Sequence, residues 1–414
     1  MSRGRADRSS PMPAATRAEA IRLLLAFVRA LHIHGAPAHR LEREAGAVAS
    51  RLGIQASFFS TPTMLLASFG DDDATAETHV LRVEPGAVNL GVLAELDLLG
   101  AAMRAGALPM AEALERARQL AIPRPLRSRW SLVLAGGVAS LAAAALMGGG
   151  AEELLTAGAI GVGQAVLGLC GRRFEPVARL RLVLAGLLSA GVAGAVATQT
   201  PLALTLVTVA GIISHVPGLT LTVAMTELAT QHLASGSART FDALTTLAQL
   251  AFGALVGAAL AANVGPPLIH ILTANEALPA TAAGLAGGIA LARLLEARRA
   301  DVPVVVAAAV VALWAARFGE SAVGGVPGVA LASTLVGVVG NGFARARRQA
   351  ASLVLIPGIL MLVPGSLGFR SLAQLLAGDV IAGVSMAVQV AMVAMALAAG
   401  QIVAHAVVPP RRGL

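Results

Sequence analysis

Between residues 130 and 407 the chain is a succession of long apolar runs, at about 130–147, 153–170, 179–197, 201–232, 240–263, 278–296, 302–317, 323–343, 350–376 and 379–407. A hydrocarbon core about 30 Å thick takes a helix of about 20 apolar residues, so this pattern predicts ten transmembrane helices. Two runs carry an internal break, Val216-Pro217-Gly218 in the fourth and Ile356-Pro357-Gly358 in the ninth. Proline removes a backbone donor and clashes with the preceding turn, and glycine frees the chain to leave the helix. In a bilayer the exposed backbone groups are tolerated only against protein or a water-filled cavity. Two breaks 140 residues apart predict a duplicated transporter with discontinuous helices 4 and 9 at its substrate site.

Five runs precede the loop at 264–277 and five follow it. An odd number of crossings turns the second copy over, so the expected design is a 5+5 inverted repeat. Loop charges point the same way. Arg127, Arg129, Arg172, Arg173, Arg179, Arg181, Arg239, Arg293, Arg298, Arg299, Arg345, Arg347, Arg348, Arg411 and Arg412 fall on one side, and only Arg317 and Arg370 on the other. The positive-inside rule then puts both termini in the cytoplasm.

Charge separates a different region at the start. Residues 1–129 hold 16 Arg and 13 acidic residues, and the remaining 285 residues only 15 and 10. After a polar start at 1–16, residues 17–122 read as a small cytoplasmic α+β domain. Helices are expected over 18–34 and from Pro37 to Gly53, short strands at 54–60, 64–69 and 78–83, and two further helices at about 90–104 and 111–120. The turn Gly70-Asp71-Asp72-Asp73 divides the last two strands. Residues 123–129 form a linker around Pro123 and Pro125, and 408–414 a cytoplasmic tail, which leaves 130–263 and 278–407 as the two membrane halves. No apolar run follows the basic start, so no cleavable signal peptide is expected.

Absences exclude chemistry. All 31 basic residues are Arg; without lysine there is no Walker-type phosphate loop and no Schiff-base cofactor site. The single Cys170 lies in an apolar run and reads as a packing residue. HExxH and other intramembrane-protease patterns are missing, so the membrane part is not read as an enzyme. The net charge of +8 is explained by membrane orientation rather than by nucleic acid. His32, His34, His39 and Glu42 cluster around the first helix junction, but His32 and His34 point to different helix faces, so no metal site is assigned.

The partners expected are a small-molecule substrate, protons and the lipid bilayer, with no cofactor; the sequence leaves homo-oligomerisation open. A half-helix starting after a Pro-Gly break aims free N–H groups and a positive dipole end at the break, which suits a carboxylate. The candidate substrate-binding residues are Ser214, His215, Pro217, Gly218, Thr220 and Thr222 at the first break, and Pro357, Gly358, Pro364, Gly365 and Ser366 at the second. Ionisable groups at membrane depth are functional candidates, which makes Glu227, Asp379 and His215 the proton-coupling candidates. Asn263, Asn341, Gln389 and Gln401 read as interhelical glue, and Gly253-xxx-Gly257 and Gly284-xxx-Gly288 as close helix packing.

The segment His34-Gly35-Ala36-Pro37-Ala38-His39-Arg40-Leu41-Glu42, followed by Arg51-Leu52-Gly53 and Ser60-Thr61-Pro62-Thr63, resembles the opening of the bacterial threonine/serine exporter family. Val216-Pro217-Gly218, and the stretch from Ile356-Pro357-Gly358 to Pro364-Gly365-Ser366 with Arg370 following, resemble its two membrane regions, so the likeness covers about residues 17–407. It implies ten spans in a bacterial inner membrane, a cytoplasmic N-terminal domain and export of L-threonine and L-serine driven by the proton-motive force. Relatives split into two polypeptides resemble dicarboxylate exporters of the succinate type, which is the alternative substrate class. A membrane-anchored hydrolase working from residues 17–122 is the alternative of a different kind.

Overall fold

Proline and glycine set the element boundaries of the first unit. The computed structural model describes residues 14–70, 76–84, 86–122, 128–268, 279–347, 349–363, 365–376 and 378–409. Helix α1 (Ala14–Ile33) ends at Gly35, which takes a left-handed φ of 83°, and α2 (Ala38–Arg51) starts after Pro37. Strands β1 (Ala56–Thr61), β2 (Met64–Phe69) and β3 (Glu77–Arg82) form an antiparallel sheet in that order, with Thr61 paired to Met64 across a two-residue turn. Helices α3 (Leu90–Ala105) and α4 (Met110–Leu120) follow. Leu65, Ala67 and Phe69 alternate onto the buried face of β2, and Phe27, Leu31, Leu41 and Leu96 are among the buried side chains of the helices. The expected order of two helices, three strands and two helices is thus observed. The turn at Asp71–Asp73, the linker at Pro123 and Pro125, and the tail beyond 409 lie outside the described residues.

His32 and His34 are both buried, and each holds a backbone carbonyl, of Pro62 at 3.0 Å and of Leu120 at 2.9 Å. Ion pairs Arg40–Asp97 and Arg104–Glu44 tie α2 to α3, with side chains 17–25% exposed. Removing one partner strands the other in a poorly solvated place. Asp97→Ala should lower the local stability of α2 and α3 by about 2 kcal/mol. Hydrogen exchange on the full-length protein would show this as a loss of amide protection confined to that unit; unchanged protection would mean the pair contributes nothing.

Contacts divide the chain into this unit and a second one made of residues 89–94 and 125–412. In the second unit the helices are α5 (Arg129–Leu146), α6 (Ala151–Gly171), α7 (Glu175–Ala197), α8 (Leu204–Gly211), α9 (Gly218–Ala229), α10 (Leu233–Ala262), α11 (Ala280–Leu294), α12 (Val302–Val323), α13 (Gly325–Arg347), α14 (Ser352–Leu362), α15 (Gly365–Leu376) and α16 (Val380–Val407). Among the described residues eight helices are long and apolar enough to cross a membrane: α5, α6, α7, α10, α12 with the turn before it, α13, the Ser352–Leu376 stretch and α16. The remaining expected spans, 201–232 and 278–296, correspond to the shorter pieces α8 with α9 and α11. Large apolar side chains such as Leu134, Phe241 and Ile381 face outward, as a lipid-facing surface requires. Glycines bring helices together: a Cβ on Gly253 would lie 1.9 Å from the Val183 carbonyl oxygen, so α10 touches the α7 backbone.

Packing partners recur in order. The pairs α5–α6, α6–α7, α7–α10 and α9–α10 reappear as α11–α12, α12–α13, α13–α16 and α15–α16. Local geometry recurs 147 residues further on. Gln231 and Gly378 both take a left-handed φ. Around them His232 N–H donates to Glu227 O, and Asp379 N–H to Gln374 O. A Cβ on Gly236 would meet Leu228, and one on Gly383 would meet Leu375; Gly400 closes onto the Ala330 carbonyl as Gly253 does onto that of Val183.

This spacing corrects the expected pairing of the breaks. Helix α14 runs unbroken through Pro357 and Gly358, both buried. It forgoes the bond that an amide at 357 would give to Leu353, while Gly358 lets it close on α13, where a Cβ would stand 2.6 Å from Val336 Cγ1. The interruption comes at Val363, whose ψ of 137° is extended, as a residue before proline prefers. The counterpart of Val216-Pro217-Gly218 is therefore Val363-Pro364-Gly365, not Ile356-Pro357-Gly358. Pro364 itself lies outside the described residues.

Candidate functional site

Helix α8 stops at Gly211 and α9 starts at Gly218, leaving residues 212–217 outside both helices. The carbonyls freed at such a helix end need partners. Ser140 donates to Gly211 O at 3.5 Å, and Ser189 donates at 2.8 Å to Thr208 O, which also accepts from Ile212 N–H at 3.3 Å. His215 N–H closes a turn onto Ile212 O at 2.8 Å. The break is a built feature, with its backbone satisfied by side chains of α5 and α7.

The two breaks touch each other reciprocally. A Cβ on Gly218 would come 2.0 Å from Val363 Cγ1, and one on Gly365 would come 2.7 Å from Val216 Cγ1. Each valine therefore rests on the glycine of the other break. Pro217, Gly218 and Gly365 belong to this crossing; Ser366 follows it in the first turn of α15.

Ser214 and His215 face elsewhere. Their side chains are 3.2 Å apart (Ser214 Oγ to His215 Nδ1) and line a cavity of about 490 Å³. The rest of its wall includes Leu132 of α5, Gln164 and Gly168 of α6, Arg172 just past the end of α6, Arg181 of α7 and Leu294 of α11. Arg172 and Arg181 are exposed, whereas Gln164 is 1% exposed. Eight residues of helix separate Gln164 from Arg172, about 12 Å, so the cavity runs from a cationic rim to a buried amide. A volume of this size suits a small metabolite.

The other expected residues have other duties. Thr222 donates to Gly218 O at 3.2 Å, bonding back onto its own helix, and Thr220 lies on the same helix, half-buried. Glu227 is fully buried and paired with Arg239 at 3.1 Å. Asp379 is exposed and caps α16 by accepting from Ala382 N–H at 3.0 Å. Pro357 and Gly358 pack in the α14 interior. Gln401 bonds Ser333 and Asn341 bonds Val408 O, the interhelical glue expected of them. Sequence reasoning passed over Gln164, and it read Arg172 and Arg181 only as topology charges. A lone amide in the apolar run 153–170 was the available signal.

Two family profiles match the chain, one described as "Putative threonine/serine exporter" over residues 22–261 and one as "Threonine/Serine exporter, ThrE" over residues 283–407. Fungal proteins named pheromone-regulated membrane protein 10 are similar along most of it. That of Pichia sorbitophila is 24% identical over 376 residues, 86% of this chain and 37% of its own. That of Candida albicans is 24% identical over 366 residues, 84% and 33%, and that of Eremothecium gossypii 24% over 364 residues, 84% and 48%. The chain thus spans a third to a half of the length of these relatives. No solved structure matches.

Proposed function

The chain belongs to the threonine/serine exporter family, and from that premise we propose that it is a secondary active exporter of small hydroxy amino acids, L-threonine and L-serine, driven by the proton-motive force. The cavity against the first break carries the reading, because it joins guanidinium groups for a carboxylate to a hydroxyl and an imidazole within one small volume. A recurring packing order, a 147-residue spacing and breaks that cross one another support a 5+5 inverted repeat. Under the positive-inside reading the arginine rim faces the cytoplasm, so the cavity is open on the side from which an exporter loads. His215 is the proton-coupling candidate that lines it. Two arginines also fit a dicarboxylate, which keeps that class as the second reading.

Filling the cavity tests the assignment. Gly168 lines the cavity and a Cβ there meets nothing within 4 Å, so Gly168→Leu starts without a clash and adds bulk at the cavity wall. Efflux from cells loaded with a threonine-containing dipeptide should fall by about fivefold at unchanged membrane content, in line with the loss of one substrate-sized contact, about 1 kcal/mol. Threonine efflux at the wild-type rate would remove this cavity from the route. Succinate efflux measured in parallel separates the substrate classes.

A further inference from the structure

The 147-residue spacing reaches the cavity itself. A Cβ on Gly211 would meet Ser189 Oγ, and one on Gly358 would meet Val336 Cγ1, so α8 lies on α7 as α14 lies on α13. The same offset pairs Ser214 and His215 with Met361 and Leu362, and Arg181 with Gly328. The first three line an open cavity. Their counterparts stand in a closed place.

Met361 and Leu362 pack against Ala312 and Ala315 of α12 and Ala332 and Val336 of α13. Met361 also reaches α11, where a Cβ on Gly287 would lie 4.0 Å from its Sδ. Helices α11, α12 and α13 repeat the packing order of α5, α6 and α7, which wall the cavity. Where Arg181 stands on the cavity rim, Gly328 lets α13 close on α12: a Cβ there would stand 2.6 Å from Gly319 O. One set of helices thus holds a hydroxyl and an imidazole beside an open volume, and the other holds a thioether and an isobutyl group in apolar packing. A zwitterion or an anion cannot enter such packing without losing its water.

Two copies of one architecture can each take the arrangement of the other, and alternating access moves one repeat against the other around a fixed site. Resting on the exporter and inverted-repeat reading above, we propose that the space held by Met361 and Leu362 is the exit cavity for the substrate, closed in this inward-open structure, with these two side chains as its gate. Methionine and leucine are unbranched at Cβ and can turn aside, unlike the valines of the crossing. Parting α12 from α13 at Gly319 and Gly328 opens the outer mouth as the inner cavity closes.

The test follows single-cysteine reporters in the full chain, with Cys170 replaced by serine and a membrane-impermeant maleimide as the probe. Met361→Cys is labelled from outside intact cells and Ser214→Cys in inside-out vesicles. Leu335→Cys, packed on the same cluster, is a second outer reporter. Ser321→Cys, exposed near the end of α12, is the reference whose rate should not change. Loading cells with the threonine-containing dipeptide makes transport populate the outward state, and should speed labelling of Met361→Cys by about tenfold. Gly328→Leu wedges α12 from α13; it should give the same rise without substrate and slow Ser214→Cys by a similar factor, because one equilibrium sets both rates. Outer reporters that stay slow during efflux, or inner and outer rates that move in the same direction, overturn the gate while threonine efflux upholds the exporter. The loading comparison alters no helix contact, so it decides even where Gly328→Leu does not reach the membrane. Cells that release no threonine overturn the exporter reading, and the gate falls with it only if Gly328→Leu also leaves both rates unmoved.

Discussion

Gly218→Ala should abolish most transport while leaving the protein in the membrane. Its new methyl would occupy the place of Val363 Cγ1, 2.0 Å away. Valine is stiff at χ1 and cannot swing aside freely, so the two breaks must separate. Overpacking of this kind costs about 1–3 kcal/mol, enough for roughly a tenfold or larger fall in efflux when the strained contact lies at the moving part. Val363→Ala in the same chain removes the clashing methyl and should restore efflux, whereas Val363→Ala alone should be mild. The same holds for Gly365→Ala with Val216→Ala, where the new Cβ would stand 2.7 Å from Val216 Cγ1. Contacting residues give non-additive effects; two mutations whose effects simply add would show that the crossing is not a coupled contact.

Breaking the Glu227–Arg239 pair should have the largest effect on stability. Glu227 is fully buried and Arg239 is 18% exposed, 3.1 Å away. Arg239→Met leaves a carboxylate buried without its cation, which costs about 3–5 kcal/mol. Purified protein should melt markedly earlier, and Glu227→Gln in the same chain should recover most of the loss. The double variant also decides between the two roles open to Glu227. If the acid only holds α9 against α10, the double variant regains efflux along with stability and keeps its pH dependence. A stable double variant with pH-independent efflux would make Glu227 the proton carrier and displace His215.

Helix positions were legible in the sequence because run length and apolarity act locally. The seven elements of the first unit and the spans from α5 to α16 follow from periodicity, Pro37 and Gly35 among the markers. The register of the recurring packing was not legible. Two Pro-Gly pairs stand in the ninth run, seven residues apart, and nothing local tells which one opens the helix. Tertiary packing decides: Gly358 fits beneath Val336 and keeps α14 continuous, whereas Gly365 lies under Val216. The same limit hid the cavity. Ser214 and His215 were found by their nearness to the break in sequence, but Gln164 and Arg181 reach them only because α6 and α7 fold back alongside.

The crossed valines and glycines also bear on how such a chain can diverge. Each break depends on a side chain of the other, 145 positions away for Gly218 and 149 for Gly365, so neither half can drift alone at these four positions. A larger residue at 218 is acceptable only after 363 has shrunk, and likewise for 365 and 216. Among related sequences the pairs 218/363 and 216/365 should therefore covary, more strongly than neighbours within either half, because each contact constrains both positions at once.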